Sequence, residues 1–349
     1  MFTNLFLLPL SLKPLPGVDP SYQKKRFSTF NNSILQFKNW LIENQCRDVC
    51  MESTGKYWVP VFNLLEDDIN VVIANPKWVK AVKGNKDDTK DSKWIGDLFR
   101  LGLVKGSYIP CKKIRILREF TRYRYKIVSC RSSEKNRYHQ MTDSQKYRMR
   151  LVRAHMDYIT AEINDVDREI EKLISSDPDF ENAIQFLMTI PGVKRDSAIT
   201  IISETGIDMS QFCSSKRLCC WAGLVPGSNE SGGKKKSVRV TRAGVYLKPA
   251  LVQCAHAAVK SDKSPYYKKK YESLVKRRGK KRAIIAIARM ILTAIYQMLS
   301  TGEQWNPSDL YKIDMPVALV EKQKAKAIKQ ARKLLQREGL LPPDEPLAS

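Results

Sequence analysis

The spacing of apolar and polar positions divides the chain into two regimes. In the first, short apolar runs alternate with helical stretches. KKRFSTF (Lys24 to Phe30) has the period of a strand. Asn31, Asn32 and Ser33 then offer caps for an amphipathic helix over Ile34 to Glu43. Arg47 to Met51 reads as a short buried strand. Lys56 to Glu66 reads as a helix with Trp58, Val61, Phe62 and Leu65 on one face. Ile69 to Pro76 is a further strand ended by Asn-Pro, and 77–83 and 91–101 have helical spacing. Strands alternating with helices predict an α/β domain with a parallel sheet.

The second regime is helical. From Ile114 to about Leu187 the pattern is helical and highly charged, with arginines and lysines interleaved by Tyr123, Tyr125 and Tyr138. Met156 to Ile174 predicts an amphipathic, acidic helix with Ile159, Ile163, Val166, Ile170 and Leu173 turned toward a partner helix. Leu187 to Gly206 places two helical patterns around Pro191-Gly192. Ala283 to Leu299 is an apolar run that Arg289 and Gln297 interrupt, which reads as a core helix. Lys322 to Arg337 is a basic helical stretch. No internal repeat is visible. The expected division is an apolar leader over 1–23, an α/β domain over 24–110, a basic connector over 111–182, a mainly helical domain over 183–300 and a helical tail over 301–349.

Charge changes the picture most. The 349 residues hold 61 Lys+Arg against 36 Asp+Glu, a formal net charge of +25. Such an excess suits a polyanionic partner. The 43% hydrophobic fraction supports buried cores. Eight cysteines without a C-x-x-C pair, beside three histidines, read as free thiols of a reducing compartment rather than a zinc site. The apolar start lacks a basic n-region, so it does not read as a signal peptide. No run approaches the roughly 18 apolar residues of a membrane span.

Within that basic chain, carboxylates cluster. Glu52 ends a predicted strand, and Asp88 and Asp91 follow at a spacing that shares a helix face. Three convergent carboxylates need a cation, and Mg²⁺, or Mn²⁺ in its place, accepts such ligands beside phosphate oxygens. The alternative is a helix-start pair and a surface charge. A second cluster is Asn229 to Ser237, where Ser231 lies among glycines and Lys234, Lys235 and Lys236. Lysines there could stabilise an oxyanion and activate a hydroxyl, or simply touch phosphate from a flexible loop. Thr189 to Val193 resembles the turn of a helix-hairpin-helix, with Gly192 and Lys194 at a phosphate, or an ordinary helical hairpin. Arg122, Arg124 and Lys126, and Arg277, Arg278, Lys280 and Lys281, suit backbone contact with nucleic acid, or are solvated helix faces.

Taken in order, CMESTGKYWVPV, NPKWVKAVKGNKDDTKDSKWIGDLFRLGLV, IPCKKIRILREFTRYR, IPGVKRDSAITIISETG, CCWAGLVPGSNESGGKKKSVRVTRAGVYLKPALVQCAHAA and RRGKKRAIIAIARMILTAIY resemble one family. It is the insertion-sequence transposases with an N-terminal RuvC-like DEDD domain and a C-terminal serine domain, whose relatives are guided by a bridge RNA. The resemblance runs over most of 24–300. It implies an RNase H/RuvC-like α/β fold, a helical connector with a shortened coiled coil, and a mainly α domain containing a helix-hairpin-helix. By it, Glu52, Asp88 and Asp91 are the second to fourth members of the metal-binding quartet, and Ser231 is the nucleophile that forms a phosphoserine link. It implies DNA, a guide RNA and further copies of the chain as partners, and a prokaryotic, cytoplasmic, nucleoid-associated protein without a membrane anchor. Two other activities stay open: a catalytically inactive nucleic-acid-binding remnant, and a junction nuclease using the carboxylates alone.

The sequence departs from the family in two places. The family's first aspartate lies on the first strand, in a Gly-Ile-Asp-Val-like segment, whereas residues 1–18 hold no acidic residue. That strand is therefore expected to be missing. The helical segment between Ser133–Tyr138 and Gln145–Tyr158 is also shorter than usual. Both departures lead to the expectation of little or no DNA adduct from the chain as it stands.

Overall fold

The structure is a computed structural model. It describes residues 3–7, 23–53, 55–79, 88–227, 230–232, 234–235, 239–261 and 266–306, and the single positions 321, 325, 328, 332 and 336. The chain forms two compact units, Met1–Ile109 and Pro110–Ser349.

In the first unit, β1 (Thr3–Leu7) pairs antiparallel with β2 (Gln23–Phe27), Thr3 opposite Phe27. The expectation of a missing first strand is corrected here. A strand does stand beside β2, but it carries no carboxylate. α1 (Asn31–Glu43) follows and buries Ile34, Phe37 and Leu41, spaced for one helix face. Its expected caps also need correction. The cap position is Phe30, without a side-chain cap, and Ser33 Oγ instead accepts the Ser28 N–H at 2.9 Å.

β3 (Asp48–Glu52), α2 (Trp58–Leu65) and β4 (Asn70–Ala74) then make a βαβ unit, the two strands parallel with Asp48 opposite Asn70 and Glu52 opposite Ala74. Val49 and Met51 alternate into the core while Glu52 stays exposed at the strand end. Val61, Phe62 and Leu65 cover them from α2. Beyond β4, Ser107 donates its N–H to the Ile73 carbonyl at 2.7 Å. α3 (Pro76–Val79) is short, and the rest of the helix expected over 77–83 lies outside the described residues. α4 (Asp88–Arg100) lies against β1 and β3.

In the second unit, α5 (Lys112–His139) and α6 (Lys146–Ser175) form an antiparallel hairpin. Contacts of Arg124 with Asp167, Arg131 with Thr160, and Glu134 with His155 run in opposite directions along the two helices. The turn is a single 3₁₀ segment held by the reciprocal bonds of Thr142 and Gln145. α6 starts ten residues before the helix read from Met156, because its polar first half lacks the apolar stripe that marked the second.

α7 (Pro178–Met188) opens on the Asp177 cap, and α8 (Arg195–Thr205) follows the turn of Thr189 to Lys194. The Arg195 guanidinium joins three helices. It donates to both Glu171 oxygens on α6 at 2.9 and 2.6 Å, and to both Glu181 oxygens on α7 at 2.9 and 2.8 Å.

α9 (Ser215–Trp221), the short strands β5 (Glu230–Ser231) and β6 (Lys234–Lys235), α10 (Leu247–Val259), α11 (Tyr266–Arg278) and α12 (Lys280–Thr301) complete the unit. α12 is apolar and long enough to cross a membrane by composition. Here α7, α9, α10 and α11 pack against it, and Ile287, Ala288, Ile291, Leu292 and Ile295 are buried. The expected core helix is thus observed, and burial of each such Ile or Leu side chain stabilises by about 1.5–3 kcal/mol.

The Arg195 contacts predict an acid response. Hydrogen bonds from Arg195, with help from Gln185, hold the Glu181 carboxyl down at about 2. Its contribution is present above the ordinary carboxylate value of about 4.3 and is lost as pH falls toward 2. Both carboxylates are more than a third exposed, so solvent screens the gain. Arg195→Ala should therefore melt a few degrees below the wild type at pH 7. Calorimetry should show that gap closing between pH 5 and pH 2; a gap independent of pH would contradict the assignment.

Candidate functional site

The carboxylates lie on neighbouring elements of the first unit. Glu52 is the last residue of β3, fixed in register by Ala74 of β4, whose carbonyl also accepts the Ser53 N–H at 2.9 Å. Asp88 opens α4, and Asp91 is half-buried one turn later. The helix puts those two on one face, and α4 packs against β3. Carboxylates in a first helical turn also complement the helix dipole, so both readings of this pair remain consistent with the backbone. The donors are of the type a hard divalent cation takes. Among the described residues no three His, Cys, Asp or Glu side chains converge. The side chain of Asp88 lies outside the described residues.

The serine segment is not a shapeless loop. Ser231 pairs with Lys234, and Glu230 with Lys235, with Gly232 directly after Ser231. Gly232 has φ +58°, and nothing lies within 4 Å of where a Cβ would stand. Lower in the arm, Pro226 bridges Val240, and Gly227 donates to the Arg239 carbonyl at 3.2 Å. Its base is a reciprocal clamp. A Cβ on Gly223 would meet the Ala243 oxygen at 2.5 Å, and one on Gly244 the Ala222 oxygen at 2.4 Å. Both glycines have φ near +70°. The side chains of Ser231, Lys234 and Lys235, and all of Lys236, lie outside the described residues.

Three of the connector arginines face inward. Arg122 forks onto Glu204 near the end of α8, with Nε and NH2 each 2.7 Å from a carboxylate oxygen. Glu204 has only 5% of its side chain exposed. That pairing raises the Arg122 pKa further. One turn earlier, Arg118 donates to the Ser203 and Glu204 carbonyls at 2.8 and 3.0 Å. Arg124 forks onto Asp167 of α6 and lies 3.7 Å from Asp196. The donors of Arg122 and Arg124, expected at phosphates, thus point at the protein's own carboxylates. Lys126 is exposed.

The turn between α7 and α8 has a packing role. Gly192 has φ +88°, and a Cβ there would stand 2.5 Å from both Ala258 N and the Cys254 oxygen of α10. Lys194 is exposed, while the first turn of α8 already carries Asp196. The α11–α12 elbow differs. Lys276, Arg277, Arg278, Lys280, Lys281 and Arg282 surround Gly279, and all are exposed. Cations suit the end of α11, but the first turn of α12 holds no acid, so three of them oppose its dipole. A bound anion relieves that repulsion.

Comparison with known proteins gives these features a family. The profile described as the transposase IS116/IS110/IS902 family matches residues 184–272. A second, described as a transposase and named for DEDD enzymes of the IS110 type, matches residues 20–145. This chain belongs to the IS110/IS116/IS902 transposase family. It is 30% identical over 146 residues to the transposase for insertion sequence element IS1111A of Coxiella burnetii, covering 41% of this chain and 39% of that protein. It is 29% identical over 146 residues to the pilin gene-inverting protein of Moraxella bovis, covering 39% and 43%. The chain thus spans about two fifths of the length of these relatives.

The DEDD profile implies a RuvC-like fold, in keeping with the β3–α2–β4 unit, and contains Glu52, Asp88 and Asp91. The other IS110-type profile contains Gly192, Lys194, Ser231 and the three lysines. Sequence reading missed Glu204, Gly223, Gly244 and Tyr246, and took Arg118 only as one cation of a basic stretch. Matching Ala-Gly pairs at 222–223 and 243–244 were the one available signal for the clamp.

The clamp predicts a contrast. Gly223→Ala or Gly244→Ala drives a methyl group into a carbonyl in left-handed backbone and should cost about 1–3 kcal/mol. Gly232→Ala meets open space and should cost about 1 kcal/mol or less. Urea unfolding measures all three; equal losses would contradict the clamp.

Proposed function

We propose that this chain is an insertion-sequence DNA transposase that cleaves and rejoins strands through Ser231, with Glu52, Asp88 and Asp91 holding Mg²⁺ or Mn²⁺. The observation that carries the reading is the placement of Ser231 opposite Lys234, beside an open glycine corner at the tip of an arm with a clamped base. A nucleophile for DNA must reach a phosphodiester that a groove-lined pocket would exclude, and an exposed tip does so. Ser231 Oγ attacks phosphorus, a phosphoserine ester forms, and one P–O bond of the DNA breaks. The serine proton leaves to a base, and the released deoxyribose oxygen takes up a proton. Lysine charge beside the serine favours the alkoxide and the developing oxyanion. A divalent ion would supply charge neutralisation at the phosphate.

DNA and a guide RNA are the proposed partners, held by the cationic elbow at Arg277, Arg278, Lys280 and Lys281 and by Lys126, Lys194 and Lys234 to Lys236. α7, its turn and α8 are read as a helix-hairpin-helix. A homo-oligomer acting in the prokaryotic cytoplasm fits that partner set. A second reading rests on β1, which stands beside β2 without a carboxylate. It makes the chain a nucleic-acid-binding transposase relative without cleavage, recognised by salt-steep binding alone.

The test is a denaturing gel with end-labelled element DNA, guide RNA and Mg²⁺. The expected result is a faint protein–DNA band from this chain that intensifies when Thr3–Leu7 is replaced by a Gly-Ile-Asp-Val strand. Ser231→Ala should abolish the band, and Glu52→Gln should weaken it about 100-fold. Cleavage that survives Ser231→Ala would favour a carboxylate-only junction nuclease and sink the serine reading.

A further inference from the structure

We infer that Tyr246, gripped by Arg122 and Tyr125, is a positioning residue that sets where the Ser231 arm points. This rests on reading Ser231 as the nucleophile. The arm leaves the unit at Gly223 and returns through Gly244, and Tyr246 is the first aromatic side chain after that return. Its neighbour Val245 is exposed, Tyr246 is half-buried, and Leu247 beyond it is buried as α10 begins, while Lys248 Nζ donates to the Thr241 carbonyl at 2.9 Å. The Arg122 guanidinium lies 4.8 Å from the Tyr246 ring centroid. The Tyr125 ring meets the opposite requirement edge-on, at 5.4 Å and 85°. Residues 122 and 125 share a face of α5. The guanidinium cannot drift, because both of its carboxylate bonds run to buried Glu204.

Leverage makes this grip consequential. The five residue steps from Pro226 to Ser231 reach at most about 17 Å. A rotation of about 10° at the base would move the tip by about 3 Å over that reach. Misplacing a reacting group by about 1 Å can cost about 100-fold in rate. The clamp of Ala222-Gly223 against Ala243-Gly244 fixes the separation of the two strands at the base. It makes no contact with α5, whereas Tyr246 touches α5 through both Arg122 and Tyr125.

The test compares Tyr246→Phe, which keeps the aromatic face, with Tyr246→Leu, which keeps apolar bulk and loses it. Two readouts are taken on the full chain. One is the rate of Ser231 adduct formation at saturating DNA, with the DNA concentration for half-saturation measured separately. The other is trypsin cleavage within 234–239, which holds Lys234, Lys235, Lys236 and Arg239. The expected result for Tyr246→Leu is an adduct rate lowered about tenfold, half-saturation within about twofold, and faster nicking of the arm. Tyr246→Phe should match the wild type in all three. If Tyr246→Leu lowers the melting temperature, Tyr125→Leu repeats the comparison, since it removes the edge-on ring contact and leaves Arg122 on Glu204. Leu and Phe variants that nick at the same rate would overturn the inference. A wild type without adduct would overturn the nucleophile reading separately, and the trypsin comparison would still decide whether Tyr246 holds the arm.

Discussion

The Arg122–Glu204 ion pair is the interaction on which the second unit is organised. Glu204 puts a carboxylate in the last turn of α8, where the helix already presents negative carbonyls. Nearly buried, that charge would be costly alone. α5 answers with two arginines one turn apart. Arg118 takes the Ser203 and Glu204 carbonyls, and Arg122 takes the carboxylate. Thr121 and Ser203 add a buried hydroxyl pair at 2.9 Å. Such a pair need not outdo an apolar replacement, but losing one partner strands a charge and costs about 3–5 kcal/mol. The 39% exposure left to Arg122 makes its own desolvation partial.

From that pair the structure leads to chemistry in few steps. Glu204 orients Arg122, Arg122 faces Tyr246, and Tyr246 holds the return of the arm that carries Ser231. The first unit follows a different logic. Its βαβ core fixes Glu52 at a strand end and leaves it exposed, while α4, the helix that carries Asp88 and Asp91, packs against the same strand. In both units the rigid part is buried and the group proposed to react sits at an element's end. That is the arrangement expected where a bulky polyanion must reach the reacting group.

Local pattern carried much of the fold. α1, β3, α2, β4 and α12 follow from apolar spacing, because each buries one face against neighbours of the same kind. Family motifs pointed to Glu52, Asp88, Asp91 and Ser231 as the candidates for chemistry. What local pattern could not show were contacts between distant residues. Arg122 looks like any surface cation until Glu204, 82 positions away, is placed beside it. Gly192 looks like a phosphate-turn glycine until the backbone of α10 is seen to press on it. The arm around Ser231 reads as flexible because glycines and lysines mask a strand pairing only two residues deep on each side. β1 was hidden for the opposite reason: its residues, TNLFL, lack the Gly-Ile-Asp-Val-like pattern by which a first strand was sought.

A double-mutant cycle on Arg122 and Glu204 tests the organising role of the ion pair most directly. Arg122→Met, Glu204→Gln and the double variant are unfolded in urea as full chains at pH 7. The predicted coupling energy is about 1.5–3 kcal/mol, with each single variant clearly less stable than the wild type. A coupling below about 0.5 kcal/mol, the value of an exposed pair, would show that α5 and α8 are held together by something else.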